Sequence, residues 1–217
     1  MIPHKTVVLD LDGPLLDGVL RHYQCYSDIL AEHGFVAIPM DQYWEMKRAR
    51  VDRNKLLALS GATEFYDTFL AHWLQRIESR DYLALDRVQD GAVETLTRWK
   101  GLGMRLLLAT MRNNTQNLEW QLEQHGLITL LDRVVTVGSS HAGAAKATHV
   151  RPLLLNSRAG ETIWVGDTEV DIYAARELEV DVCALTCGLR TREYLASLSP
   201  DLLEPSLVAF AESEARL

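Results

Sequence analysis

Acidic side chains follow short apolar runs closely at two places in this 217-residue chain. Asp10 and Asp12 follow the β-rich run at 6–9, and Asp167 follows the run at 162–165. Side chains two apart on a strand share a face, so Asp10 and Asp12 can converge where the chain leaves the sheet. Clustered carboxylates of this kind suit a hard divalent cation and, through it, an anionic ligand.

A hydroxyl group and an ammonium group occupy comparable positions. Thr110 follows the apolar run at 105–109, and Lys146 lies in the loop-to-helix region after the run at 133–137. Ligands of an open parallel sheet bind at the carboxyl ends of its strands. The formal net charge is −8, so a site for an anion needs positive charge placed locally. Lys146 supplies that charge, and Thr110 can donate a hydrogen bond to a bound oxygen.

The elements that would position these groups follow an α/β pattern. Helical patterns, such as those around Leu96 and Ile172, separate short apolar runs from residue 86 onward. Strands that alternate with helices predict an α/β fold whose core is a doubly wound, Rossmann-like parallel sheet. The predicted strands lie at 6–9, 105–109, 133–137, 162–165 and 181–185.

A long stretch after the first predicted strand interrupts that alternation. We predict a small α-helical cap domain at 18–83, inserted into a catalytic core formed by 1–17 and 84–217. This insert has no convincing buried strand, and its helix-like segments lie at 23–33, 41–49 and 64–77.

The tail after Pro205 is a short amphipathic segment whose order the sequence does not predict.

Composition and charge argue against several classes of protein. No apolar run approaches the roughly 18 residues that a membrane span needs, and the N-terminus lacks the basic start and apolar middle of a signal peptide. We therefore expect a cytoplasmic protein with no membrane partner. No Lys/Arg block is long enough to track a nucleic acid, and three cysteines are too few for a disulfide framework. The sequence does not predict an oligomeric state.

Four motifs in a fixed order carry a family resemblance. They are Asp10-Leu11-Asp12-Gly13, Thr110, Lys146 and Gly166-Asp167-Thr168-Glu169-Val170-Asp171. With a helical insert after the first motif, they resemble the haloacid dehalogenase superfamily, in particular its phosphoglycolate-phosphatase-like branch. The segment at 185–190 is also similar to the one that comes after the fourth motif in that branch. The chain departs from the branch at Pro14, Met111, Arg112 and Ala147.

The resemblance implies a magnesium-dependent phosphatase that hydrolyses a small phosphate monoester through an aspartyl-phosphate intermediate. Asp10 would be the nucleophile, and Asp12 would protonate the leaving oxygen and then deprotonate the attacking water. Thr110 and Lys146 would be catalytic residues that bind the phosphoryl group, and Arg112 would be a further substrate-binding residue. The implied partner is a small phosphorylated metabolite.

The resemblance also implies a set of ligands for Mg²⁺, which would offset the repulsion between a carboxylate nucleophile and a phosphate dianion. Asp10 and Asp167 would bind the ion directly. Asp12 would contribute its backbone carbonyl, and Asp171 would hold the ion indirectly or through a water molecule.

The identity of the substrate would depend on the cap. Arg50 or Arg53 could contact a second anionic group on the substrate. A second candidate set lies just past the hinge that we predict at Asp17-Gly18, and it consists of Arg21, His22 and Tyr23.

Two alternative functions share the fold: a sugar phosphomutase, which returns the phosphoryl group to a sugar, and a phosphonate hydrolase, which needs a lysine from the cap. A non-catalytic phosphoacceptor module is a rival from another class.

Overall fold

The computed structural model describes residues 4–138, 142–155, 157–158 and 160–215. The chain divides into two units. The core unit combines Met1–Asp17 with Val88–Leu217, and the helical unit consists of Gly18–Arg87. Within the described ranges, no helix is both long enough and apolar enough to cross a membrane.

The core unit is built on a parallel sheet of six strands. In spatial order the strands are β5 (Arg133–Thr136), β4 (Arg105–Thr110), β1 (Thr6–Leu9), β6 (Thr162–Gly166), β7 (Asp181–Leu185) and β8 (Leu202–Glu204). Since β1 pairs in parallel with both β4 and β6, the predicted α/β fold with a doubly wound parallel sheet is confirmed. The five predicted strands agree with the observed ones to within one residue at each end, and β8 is an additional strand of this sheet. A separate two-stranded sheet contains β2 (Leu16–Asp17) and β3 (Arg87–Val88).

Apolar layers cover both faces of the large sheet, because successive side chains of a strand point to opposite faces. Val7 and Leu9 belong to one layer, and Val8 belongs to the other. The first layer includes residues of α6 (Ala92–Gly101), α7 (Thr115–Gln124) and α11 (Leu207–Glu214). The second includes residues of α8 (Ala142–Val150), α9 (Glu169–Leu178) and α10 (Arg192–Ser197). Short 3-10 helices occur at Ile128–Leu130 and Arg151–Leu154.

The tail after Pro205, whose order the sequence did not predict, forms α11. Ser206 caps this helix by accepting a hydrogen bond from the Ala209 N–H at 3.2 Å. Leu207 and Phe210 are buried in the first apolar layer. With only eight residues, the helix depends on this packing rather than on local propensity.

The helical unit has an aromatic core, in which Tyr26, Phe69 and Trp73 are buried. Arg21 Nε donates to Asp86 Oδ1 at 2.8 Å, and both side chains are buried. The helices are α1 (Val19–Glu32), α2 (Met40–Arg48), α3 (Arg53–Leu59), α4 (Tyr66–Arg76) and α5 (Arg80–Leu83), with a 3-10 helix at Thr63–Phe65. The three predicted helical segments correspond to α1, α2 and α4, and α3 and α5 are additional.

Candidate active site

Asp10 lies directly after β1, in the interior of the sheet. Its backbone N–H donates to Val165 O at 2.9 Å, which keeps the residue aligned with β6. Carboxylate Oδ1 accepts a hydrogen bond from the Leu11 N–H at 2.8 Å and lies 2.9 Å from Lys146 Nζ. The side chain is 12% exposed. The end of β1 therefore presents an anchored carboxylate that is almost completely buried.

Lys146, in α8, lies between two carboxylates. Its Nζ is 2.9 Å from Asp10 Oδ1 and 2.8 Å from Asp171 Oδ1, and its side chain is 1% exposed. Burial acts to lower the pKa of Lys146, but the attraction of Asp10 and Asp171 outweighs burial and raises that pKa above its ordinary value. The ammonium group therefore stays charged and supplies local positive charge.

Asp171 caps the helix that contains it and also binds Lys146. In the first turn of α9, its Oδ2 accepts hydrogen bonds from the Thr168 N–H at 3.2 Å and the Thr168 hydroxyl at 2.8 Å, and the two residues form a capping box. Its Oδ1 accepts from Lys146 at 2.8 Å and from the Trp164 indole N–H at 3.2 Å. These bonds match the usual acceptor capacity of a carboxylate, so Asp171 is suited to orienting Lys146.

Asp167 follows β6 and is 1% exposed. Its Oδ2 accepts a hydrogen bond from the Leu189 N–H, whereas its buried Oδ1 has no hydrogen-bond partner in the described part of the chain. Two glycines contact this side chain closely. A Cβ atom would lie 2.3 Å from Asp167 Cγ at Gly13 and 2.0 Å from Asp167 Oδ2 at Gly188. Only glycine therefore fits at either position without displacing the carboxylate.

The negative charges of the cluster are only partly compensated. Burial raises the pKa of Asp10 to about 7; Lys146 opposes that shift, and the neighbouring Asp171 and Asp12 add to it. Burial also raises the pKa of Asp167 well above its ordinary value, and the charges of Asp10 and Asp171 act in the same direction. A cation bound at this cluster would favour the charged form of both carboxyl groups.

The donor set fits a hard divalent cation. Carboxylate oxygens of Asp10, Asp167 and Asp171 lie within 4.8 Å of one another, and Mg²⁺ prefers oxygen ligands. The Oδ1 atom of Asp167 supports this fit, because a buried carboxylate oxygen without a hydrogen bond is costly unless something binds it. Asp10 and Asp167 are therefore the side chains best suited to direct coordination.

The remaining predicted residues lie at the ends of β1 and β4, which are neighbours in the sheet. Thr110 is the last residue of β4 and is 1% exposed. Arg112 donates from Nε to Asp12 Oδ2 at 2.9 Å and from Nη2 to Asp12 Oδ1 at 2.8 Å. The sequence did not predict this bidentate pair between the substrate-binding candidate and the acid/base candidate. The sheet topology brings all seven predicted site residues to the carboxyl ends of β1, β4 and β6 or to α8 and α9, the helices that follow β5 and β6.

Several groups that shape the site were absent from the sequence prediction. The Thr168 hydroxyl had a readable signal, since Thr-x-x-Asp before a helical pattern is typical of a capping box. The Trp164 indole and the Leu189 N–H had no such signal, because their contacts with Asp171 and Asp167 depend on how the elements pack.

The candidate cap residues make contacts inside the helical unit. Arg21, suggested as a substrate contact, has its Nε bonded to buried Asp86. The His22 ring stacks on Trp73 at 5.6 Å between centroids, and Arg53 Cζ lies 5.3 Å from the centre of a Trp73 ring. The ion pair with Asp86 gives Arg21 a structural role inside the helical unit. His22 and Arg53 both pack against the buried indole of Trp73.

Comparisons with known proteins agree with this architecture. The family model described as haloacid dehalogenase-like hydrolase matches residues 4–178. A phosphoglycolate phosphatase of Synechococcus elongatus is 22% identical over 201 residues, which are 92% of each chain.

Solved structures share the fold. A predicted phosphatase from Clostridium acetobutylicum has a TM-score of 0.75 at 18% identity and matches over 99% of both chains. A HAD family hydrolase from Deinococcus radiodurans R1, solved with bound phosphate and sodium, has a TM-score of 0.75 at 17% identity. That match covers 100% of this chain and 97% of the other.

Proposed function

Because this chain belongs to the haloacid dehalogenase-like hydrolases, we propose that it is a magnesium-dependent phosphatase acting on a small phosphate monoester. One observation carries the proposal: Asp10 and Asp167 share a buried cluster with the charged Lys146. A relative along most of the chain is a phosphoglycolate phosphatase, which makes small phosphorylated acids reasonable first substrates. The cytoplasmic location stays a prediction.

Asp10 and Asp167 would hold the Mg²⁺ ion, which supplies positive charge between the nucleophile and the incoming phosphate. Lys146 adds a second positive charge that the fold holds in place, since it is ion-paired to Asp171 as well as to Asp10. Thr110 would donate a hydrogen bond from its hydroxyl to a phosphoryl oxygen. These groups would reduce the repulsion between the Asp10 carboxylate and the negatively charged oxygens of the phosphate.

The reaction would use two displacements. In the first, the Asp10 carboxylate attacks phosphorus, the bond from phosphorus to the leaving oxygen breaks, and Asp12 gives its proton to that oxygen. In the second, a water oxygen attacks the same phosphorus, Asp12 takes a proton from the water, and Asp10 is released as a carboxylate. The bonds from Lys146 and the Leu11 N–H to Oδ1 would orient Asp10 for attack through Oδ2.

We also propose that the helical segment 18–83 acts as the cap that selects the substrate. Its cationic and aromatic side chains, including Arg53 beside Trp73, suit a substrate that carries a second anionic group. The segment has no assigned role in the two displacements.

A metabolite screen tests the proposed function. Purified protein is incubated with phosphorylated metabolites, including 2-phosphoglycolate and sugar phosphates, in Mg²⁺ or in EDTA, and free phosphate is measured. We expect phosphate release only with Mg²⁺. Isomerisation of a sugar phosphate without release would indicate a phosphomutase, and a single stoichiometric phosphorylation would indicate a phosphoacceptor module.

The nucleophile is tested in the same assay. Asp10→Asn removes the attacking carboxylate and should abolish turnover, whereas Asp90→Asn, at an exposed position of the core unit, should keep wild-type activity. Near-wild-type turnover by Asp10→Asn would exclude Asp10 as the nucleophile.

A further inference from the structure

We propose that Arg112 is a positioning residue, which holds the Asp12 carboxylate in the orientation needed to exchange a proton with the leaving group. This role rests on the proposed phosphatase function. It differs from the substrate-binding role that the sequence suggested for Arg112, because here the guanidinium acts through Asp12 rather than on the phosphoryl group.

The contact between the two side chains is bidentate. Arg112 Nε lies 2.9 Å from Asp12 Oδ2, and Arg112 Nη2 lies 2.8 Å from Asp12 Oδ1. Two parallel hydrogen bonds from a planar guanidinium fix both the position and the plane of a carboxylate. A lysine in the same place would offer a point charge and could not fix that plane.

Burial of the pair is asymmetric. The Arg112 side chain is 6% exposed, and the Asp12 side chain is 36% exposed. The guanidinium is therefore fixed within the protein, and the carboxylate it holds is partly open to solvent. Each Asp12 oxygen accepts one hydrogen bond from Arg112.

The topology explains why these two residues meet. β1 and β4 are parallel neighbours in the register Leu9↔Leu108. Asp12 is three residues beyond Leu9 and Arg112 is four beyond Leu108, so both leave the sheet at the same edge. The Asn114 side chain then caps α7 by accepting from the Asn117 N–H at 2.9 Å. Arg112 therefore lies in a short connection that is fixed at β4 and at α7.

Proton transfer needs the acid within hydrogen-bond reach of the leaving oxygen. Without Arg112, the partly exposed Asp12 carboxylate would lose two of the hydrogen bonds that orient it and would spend less time in that geometry. The loss should be larger for a leaving group that needs a proton than for one that departs readily as an anion. A phosphate-binding role for Arg112 predicts something different, since the phosphoryl group is common to all substrates.

The experiment compares two aryl phosphates that differ in the leaving group alone. kcat/KM is measured with Mg²⁺ for phenyl phosphate and p-nitrophenyl phosphate, and it reports the first displacement. Arg112→Gln should lower kcat/KM about 100-fold for phenyl phosphate and several times less for p-nitrophenyl phosphate. Arg112→Lys should give an intermediate loss with the same leaving-group bias. The matched control is Arg190→Gln, which removes another bidentate pair, to Glu169 at 2.6 and 3.0 Å, and should show no bias.

A double-mutant cycle gives a second measurement. In an Asp12→Asn background, Arg112→Lys should add no further leaving-group bias, because the group that it positions no longer carries the proton. Equal losses for both substrates in Arg112→Lys and Arg112→Gln would overturn the positioning role and leave the phosphatase function intact. If Arg112→Gln does not fold in a thermal melt, Arg112→Lys alone decides. Wild-type protein that hydrolyses neither aryl phosphate nor any phosphorylated metabolite of the screen would overturn the proposed function and this role with it.

Discussion

At the residue scale, the site concentrates negative charge around one buried lysine. Lys146 bonds Asp10 and Asp171, whereas Asp167 contributes a further buried carboxyl group whose raised pKa reflects burial first and the charges of its neighbours second. One ammonium group cannot neutralise three carboxylates. The arrangement is therefore unfavourable for the protein alone, and a bound divalent cation would make it favourable.

This imbalance predicts how stability depends on pH without metal. The folded pKa of Asp10 is about 7, against an ordinary value of 3.8. The native state therefore holds this proton more tightly than the unfolded chain. The resulting stability is complete below pH 4 and is lost as pH rises to about 7. We expect the free energy of unfolding in EDTA to fall by about 2–4 kcal/mol more in wild type than in Asp10→Asn between pH 4 and pH 8.

Denaturant titrations of both proteins at four pH values measure this difference. Added Mg²⁺ at pH 8 should restore stability to the wild type more than to Asp10→Asn, because Asp10 is a proposed ligand. Parallel pH profiles for the two proteins in EDTA would contradict the assignment of the raised pKa to Asp10.

At the element scale, the turns that follow the strands set the position of Asp167. This side chain is surrounded by backbone at Gly13 and Gly188, and its Oδ2 accepts from the N–H of Leu189. Gly13 and the Leu189 N–H come from separate segments of the chain, and together they define the position of the Asp167 carboxylate.

Gly188→Ala tests that constraint. The new Cβ would lie 2.0 Å from Asp167 Oδ2, so the carboxylate or the loop has to shift. We expect a loss of about 100-fold in kcat, since a displacement of about 1 Å in a site has that order of effect, and a weaker dependence on Mg²⁺. Gly101→Ala is the control, because in the described part of the chain no atom outside its chain neighbours and the nearby backbone of its own helix lies within 4 Å of its Cβ position. Equal activity of the two variants would show that Asp167 tolerates displacement.

At the scale of the whole core unit, the first residue that the structure describes, His4, lies against the last helix, α11. His4, next to β1, bonds Glu214 Oε2 of α11 at 2.9 Å and Asp181 Oδ2 of β7 at 3.1 Å. The α11 helix also covers the sheet face that contains Val7 and Leu9. The tail is therefore part of the core that supports the strand leading to Asp10.

Phe210→Ala measures the contribution of that tail. Phe210 is 1% exposed and stacks edge-on against Trp99 at 5.8 Å. We expect the free energy of unfolding to fall by about 3–5 kcal/mol, from lost burial and the cavity left behind. Leu102→Ala, at a position 60% exposed, should change stability by less than about 0.5 kcal/mol. The free energy of unfolding of both variants is measured by chemical denaturation. Equal, small losses in Phe210→Ala and Leu102→Ala would mean that α11 is not part of the core.

The sequence alone determined the sheet, the order of its motifs and where the acidic groups leave it. Apolar runs buried on both faces are a strong signal, and the residue after such a run, as with Asp10, lies at the carboxyl end of a strand wherever the strand pairs. The helical insertion also had a local signal in the sequence, since apolar residues at α-helical spacing replace strand patterns between Leu20 and Tyr82.

Only the tertiary structure decided how the polar groups pair. Arg112 and Asp12 are 100 residues apart, and their contact depends on the register of β1 against β4. The raised pKa of Asp10, with burial as its largest cause, likewise depends on the layers around it. The order of α11 was settled by the apolar face that it covers. Residue type and local spacing determine which elements form, but desolvation and pairing depend on distances that exist only after the elements pack.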